Sequence, residues 1–173
     1  DVQALKRTAD ENGYDFQILD AVLKVNDRQR LQLAERIIAR FGGSLQGRRI
    51  AVWGLAFKAL TDDVRESPAH YVIEGLLTAG ADVVAFDPEA METTRIVFGD
   101  RIRYGTEPYE VLEGADALAV LTEWHEFRRP DFDRVRELLN EPVIFDGRNL
   151  FKPHRMKELG FDYSSVGRPD YGA

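Results

Sequence analysis

"RRIAVWGLAFKALTDDVRESP" (residues 48–68) begins as a strand, in the near-continuous apolar run from Ile50 to Leu55, and ends as a helix start at Ser67-Pro68. Serine is a good N-cap, and proline suits the first helical position, where its missing N–H costs nothing. The residues between decide what kind of turn this is. A dinucleotide fingerprint would put glycines at 54, 56 and 59, so that the backbone can approach a pyrophosphate and the helix can pack close to the strand. Gly54 fits, but Ala56 and Ala59 do not, and the helix does not begin at once. The spacing therefore predicts a separate loop at the strand end, carrying Phe57, Lys58, Asp62, Asp63 and Arg65.

Outward from this stretch the chain alternates. "IAVWGL" (50–55), "DVVAFD" (82–87), "RIRY" (101–104), "ALAVLT" (117–122) and "PVIFDG" (142–147) are short apolar or β-branched runs. Helical patterns separate them: Ala69, Val72, Ile73, Leu76 and Leu77, then stretches near 89–98, 107–113 and 131–139. Strands alternating with helices, with strand interiors apolar throughout, predict a parallel sheet covered on both faces, a doubly wound α/β domain. Such sheets bind ligands beyond the carboxyl ends of their strands, near the point where strand order reverses. Those ends are Gly54, Asp87, Thr122 and Asp146-Gly147-Arg148.

Upstream, residues 1–11 read as a short helix closed by Asn12-Gly13. A second helix is predicted from about Asp15, with apolar residues from Phe16 through Val22 and Ile37 to Phe41 at helical spacing, until Gly42-Gly43 stops it. At ~1.5 Å per residue it is about 40 Å long. One small domain cannot cover an apolar stripe of that length, so residues 16–41 are expected to pack against a second copy in a homodimer. "GGSLQGR" (42–48) reads as a short linker, which divides the chain into helices at 1–43 and a nucleotide-binding domain at 44–173.

Composition narrows the function classes. Of 173 residues 44% are hydrophobic and 31% charged, which suits a soluble domain with a substantial core. No run approaches a membrane span and residues 1–15 do not read as a signal peptide, so the simplest expectation is a cytosolic, cytoplasmic protein with no membrane partner. A formal net charge of −7 argues against a nucleic-acid partner. The absence of cysteine removes disulfides, thiolate metal sites and a thiol nucleophile from these residues.

Candidate site residues carry two readings each. Lys58 and Arg148, both at strand ends, suit a phosphate as point charge and planar fork, in a mononucleotide or sugar-nucleotide site. The bland alternative, weightier on spacing alone, makes Lys58 a solvated lysine and Arg148 a turn residue pairing with Asp146. Asp87 stands where a dinucleotide domain keeps its ribose-binding acid, yet an aspartate before proline is also a common turn residue. Asp62, Asp63 and Glu66 read as helix-start acids that orient Arg65, and Trp124 reads as packing. His70, His125 and His154 lack metal-ligand spacing, and no metal is expected. Asn26 reads as a solvated position on the long helix.

Several ordered motifs carry a resemblance. "GLAFKALTDDVRESPA", "VVAFDPEA", "LTEW" and "FDGRNLF" together resemble the C-terminal, Rossmann-like, nucleotide-binding half of the UDP-glucose/GDP-mannose dehydrogenases. "ENGYDFQILDAVLKVNDRQR" resembles their central helix, and "GFDYSSVGR" is similar to the bacterial UDP-glucose 6-dehydrogenases among them. The resemblance implies four-electron oxidation of a nucleotide-sugar alcohol to a carboxylate, from UDP-glucose to UDP-glucuronate, with two NAD and a cysteine thioester. By position it implies that Lys58, with Phe57 beside it, binds the nucleotide-sugar, that Arg148 lies near that substrate, and that Arg65 reaches NAD held by another domain. Asp1 matches the aspartate that handles water and proton just after the family's cysteine. With that cysteine and the NAD domain outside these residues, the resemblance implies no turnover by this chain alone.

Three function classes follow: the UDP-sugar-binding and dimer-forming part of such a dehydrogenase, a nucleotide sensor without chemistry, and a dimerisation module with a vestigial cleft. Within the first, GDP-mannose and N-acetylated UDP-sugars stand as alternative substrates.

Overall fold

The computed structural model describes residues 2–169. Two helices, α1 (Val2–Glu11) and α2 (Gln17–Arg40), precede an alternation of β1 (Arg49–Trp53), α3 (Pro68–Thr78), β2 (Asp82–Phe86), α4 (Met91–Phe98) and β3 (Arg103–Tyr104). There follow β4 (Ala117–Val120), α5 (Phe132–Leu138), β5 (Val143–Asp146), α6 (Pro153–Glu158) and β6 (Asp162–Ser165). The six strands form one sheet in the order β3-β2-β1-β4-β5-β6, every pairing parallel. Strand order reverses between β1 and β4, where Ile50 pairs with Ala117 and Trp53 with Val120. The doubly wound expectation holds, with its switch point at the end of the strand that opens the stretch quoted first.

Three of the five expected strands lie within their expected ranges and β1 starts one residue early, at Arg49; "RIRY" shortens to the pair Arg103–Tyr104, because Arg101 closes a 3₁₀ turn instead. The helix expected near 107–113 is a single 3₁₀ turn, Glu110–Leu112. The pattern missed α6 and β6, which add an edge to the sheet beyond β5. "GGSLQGR" is more than a linker: Leu45 is fully buried, and its N–H reaches the carbonyl of Ala79 at 2.9 Å.

The long helix is real, 24 residues or about 36 Å at ~1.5 Å per residue, but its two halves differ. Leu33, Ala34 and Ile37 lie in the core of the sheet domain. Here α2 crosses α3 so closely that a Cβ on Gly75 would stand 2.9 Å from the Cβ of Ala34. Arg30 stacks on the Tyr71 ring at 4.7 Å and pairs with Glu66 at 2.9 Å, while Arg40 binds Asp162 at 2.6 Å. In the first half, Ile18, Val22 and Val25 are exposed at helical spacing. The stripe open to a partner thus runs from Ile18 no further than Leu31, because Leu33 to Ile37 already serve their own domain.

Candidate functional site

The loop after β1 sits at the carboxyl edge of the sheet, and its shape follows from where its backbone groups find partners. Asp87, just past β2 and 1% exposed, turns its Oδ2 to the N–H groups of Leu55 at 2.6 Å and Ala56 at 3.0 Å, and to the indole of Trp124 at 3.0 Å. Its Oδ1 accepts from the N–H groups of Glu89 at 3.0 Å and Ala90 at 2.8 Å. The Ser67 hydroxyl donates to the Leu55 carbonyl at 2.8 Å, and the Thr122 hydroxyl to that of Ala56 at 2.7 Å. The Phe57 N–H bonds the Asp63 carbonyl at 2.9 Å, and Arg148 Nη2 donates to the Phe57 carbonyl at 2.8 Å. Every backbone donor and acceptor from Leu55 to Phe57 is therefore satisfied from within the chain, as buried backbone requires.

This closes the dinucleotide reading of Gly54 and Asp87. In a dinucleotide turn the first loop N–H groups face a pyrophosphate; here a carboxylate of the chain itself occupies them. Gly54 is needed for its φ of +97° and because a Cβ would meet Thr122 at 2.4 Å, not to admit a ligand. The residues of the β1 turn do not fit an NAD pyrophosphate. Asp87 is the turn residue of the bland reading, extended to a five-donor anchor, and Trp124 is buried packing that joins it.

The candidate cations fare differently. Lys58 is exposed and makes no hydrogen bond or ion pair among the described residues, and Phe57 beside it is 47% exposed. Arg148 departs from both readings. Its backbone N–H, not its guanidinium, bonds Asp146 at 2.9 Å. Its Nε donates to the Leu121 carbonyl at 2.7 Å, Nη2 to Phe57, and Glu123 Oε2 lies 3.3 Å from Nε. Most of the fork is spent joining three strand ends, which leaves Nη1 without a partner among the described residues.

Arg65 is held as expected by its neighbour: Nε and Nη2 bind the two oxygens of Asp63 at 2.9 and 2.8 Å, and its N–H adds a third bond at 3.0 Å. The Arg65 guanidinium, then its backbone N–H, hold the Asp63 carboxyl down at about 2, with Lys58 contributing as a nearby charge. The pair lines an open groove of about 430 Å³ with Thr61, Asp62, Val64 and Thr93, large enough for part of a nucleotide. Glu66 binds Arg30 on α2 rather than orienting Arg65. Asp1 lies outside the described residues. Among the described residues no His, Asp or Glu cluster could hold a metal, and no helix is long and apolar enough to cross a membrane. Sequence reasoning passed over Glu123, whose Oε1 accepts from the Ala59 N–H at 3.4 Å; its one signal was its place in "LTEW", directly after a strand end.

The site and the sheet define a doubly wound α/β domain whose first turn is sealed by its own aspartate and whose strand-end loop offers a lysine without a partner among the described residues. Residues 51–153 match the model of the UDP-glucose/GDP-mannose dehydrogenase family, UDP binding domain. The chain belongs to that family. It is 46% identical to the UDP-glucose 6-dehydrogenase of Pseudomonas aeruginosa over 99% of its own length and 39% of that protein's. Among solved structures it resembles a UDP-glucose dehydrogenase from Pyrobaculum islandicum, with a TM-score of 0.76, 35% identity and coverage of 86% of this chain and 33% of that one. It also resembles an NDP-N-acetyl-D-galactosaminuronic acid dehydrogenase from Methanosarcina mazei, with a TM-score of 0.78, 27% identity and coverage of 95% and 36%. The chain thus spans well under half the length of the relatives it matches.

Proposed function

We propose that this chain is the part of an NAD-dependent UDP-glucose 6-dehydrogenase that holds the nucleotide end of UDP-glucose, at the carboxyl ends of β1, β4 and β5. The observation that carries the reading is Lys58: an unpaired cation on a loop whose neighbouring backbone is fully satisfied, within a sequence that matches a UDP-binding domain. A fixed point charge at a strand end is suited to a diphosphate, and an acidic chain must focus positive potential locally to bind one. Arg148 Nη1 and the exposed ring of Phe57 stand next to it. The 46% identity to a UDP-glucose enzyme, against 27% to an N-acetyl-sugar enzyme, favours the simpler sugar.

The proposed reaction takes the sugar's primary alcohol through an aldehyde to a carboxylate, with NAD as hydride acceptor. NAD does not belong in the β1 turn, so Arg65 is assigned the contact to NAD held elsewhere in the enzyme, through the N–H groups that Asp63 leaves free. Asp1 is assigned to water and proton handling on the resemblance alone, and the sequence has no thiol to act as nucleophile. Residues 1–43 serve as dimer helices and 44–173 as the nucleotide domain, the exposed Ile18, Val22 and Val25 supporting a homodimer.

Calorimetric titration of the chain with UDP and with NAD tests this. UDP is expected to bind more tightly than NAD. Loss of a charge-assisted bond worth about 1.5–3 kcal/mol in Lys58→Ala lowers UDP affinity by about one to two decades, while Arg65→Ala leaves it nearly unchanged. Equal affinities in all three proteins, or a larger loss from Arg65→Ala, would overturn the assignment.

A further inference from the structure

Lys58 lies between two backbone groups that are each held by a charged side chain from another strand end. The Phe57 carbonyl before it accepts from Arg148 Nη2 at 2.8 Å, and the Ala59 N–H after it points to Glu123 Oε1 at 3.4 Å. The two holders are joined, since Glu123 Oε2 stands 3.3 Å from Arg148 Nε as an ion pair rather than an aligned hydrogen bond. Arg148 is fixed in turn by the Leu121 carbonyl at 2.7 Å. The result is a closed ring through the ends of β1, β4 and β5 with the lysine at its rim. Glu123 and Arg148 are both about one-quarter to one-third exposed, so the ring lies at the solvent-facing carboxyl edge of the sheet rather than in the core.

We propose that Glu123 is a positioning residue for the nucleotide's phosphates: it touches no ligand, but by holding Ala59 and Arg148 it aims Lys58 and fixes the guanidinium beside it. This rests on the reading of Lys58 as a phosphate contact. The reason for a carboxylate here is otherwise obscure, because an anion beside a diphosphate opposes binding through space. Its retention makes sense if the order it imposes on the two cations outweighs that repulsion. Preorganised contacts bind more tightly because less freedom is lost when the ligand arrives.

The two possibilities predict opposite signs. If Glu123 acts only as a nearby charge, Glu123→Gln strengthens UDP binding. If it positions Lys58, Glu123→Gln weakens binding by about five- to tenfold, within the range of couplings between contacting residues. Glu123→Asp, which keeps the charge but is one methylene too short to hold both partners, weakens it similarly.

The experiment is calorimetric titration of the full chain with UDP for wild type, Lys58→Ala, Glu123→Gln, Glu123→Asp and the Lys58→Ala/Glu123→Gln double variant. Thermal melts accompany each titration, and amide spectra of residues 57–59 report whether the loop alone has loosened. The double variant is expected to bind within about twofold of Lys58→Ala, because a residue that acts through the lysine has little left to act on. A merely structural role would instead lower affinity additively. Unchanged or tighter binding in Glu123→Gln, wild-type affinity in Glu123→Asp, or additivity in the double variant overturns the proposal while leaving Lys58 in place. If the wild-type chain does not bind UDP, or Lys58→Ala has no effect, the reading of the site falls and this inference with it.

Discussion

Replacing Asp87 by asparagine changes one atom's worth of chemistry in a buried position and should be costly. The carboxylate accepts from three donors on one oxygen and two on the other, and the side chain is 1% exposed. An amide keeps one acceptor oxygen. In its better orientation that oxygen faces Leu55, Ala56 and Trp124, and the NH₂ group is left against the N–H groups of Glu89 and Ala90. Two hydrogen bonds to a charged acceptor, each worth about 1.5–3 kcal/mol, are lost, and two donors face a donor. The expected destabilisation is about 3–5 kcal/mol, a large share of the ~5–15 kcal/mol that holds a typical domain. With a urea m-value of about 2 kcal/mol per M, the unfolding midpoint falls by about 1.5–2.5 M. Urea titration followed by tryptophan fluorescence reads this directly, since Trp124 is one of the five donors. A loss below ~1 kcal/mol would show that the anchor is not what holds the loop, and the argument for a sealed β1 turn would fail with it.

Two further perturbations separate other parts of the molecule. Ile18→Asp together with Val22→Asp should shift sedimentation at tens of micromolar from dimer to a folded monomer, because these side chains are exposed within one chain; an unchanged dimer, or a monomeric parent, refutes the partner face. Burial depresses the pKa of His70, which packs edge-on to Phe98 at 5.1 Å and whose Nε2 has no hydrogen-bond partner among the described residues. Its neutral form is the folded one, so its contribution to stability is complete above ~6.5, the unfolded value, and is lost as pH falls through the lower folded value. His70→Phe should therefore flatten the fall in melting temperature between pH 7 and 5, and equal slopes for the two proteins would exclude the histidine as its cause.

The elements most legible in the sequence were those fixed by local chemistry. Ser67-Pro68 started α3 where capping said it would, with the serine hydroxyl also accepting from the Ala69 N–H at 3.3 Å. The central strands were read from their apolar runs because a strand buried on both faces has little choice of residue. At the sheet's edge this signal fades: β6, "DYSS", is mostly polar, and its burial depends on Tyr163 reaching Asp146 and on Arg36 binding the Ser165 carbonyl, contacts made across the fold. The site was legible in its charges and illegible in their roles. Lys58 and Arg148 could be picked out as strand-end cations, but Arg148 bonds mainly to the carbonyls of Leu121 and Phe57. A carbonyl is present at every residue and leaves no mark in the sequence. Asp87 was seen as a turn aspartate for the same local reason, while three of its five donors come from residues more than thirty positions away.

The strand order has a consequence for the time at which the sheet can form. β1 is the first strand in the chain yet lies in the middle of the sheet, with β2 on one side and β4 on the other. Ile50 meets Val83 and Ala117, which lie 33 and 67 positions later (83 − 50 and 117 − 50). At a synthesis rate of about 5–20 residues per second, the second partner emerges roughly 3–13 s after Ile50 does. During that interval "IAVWGLAF" is an apolar, strand-prone segment with no complete place to go, the kind of stretch on which nascent chains aggregate. Arg48 and Arg49 on one side and Lys58 on the other bound it with like charge, and such flanks keep unpaired segments apart. The lysine that stands exposed at the folded strand end is thus also one of the like charges that flank the central strand while the chain is being made.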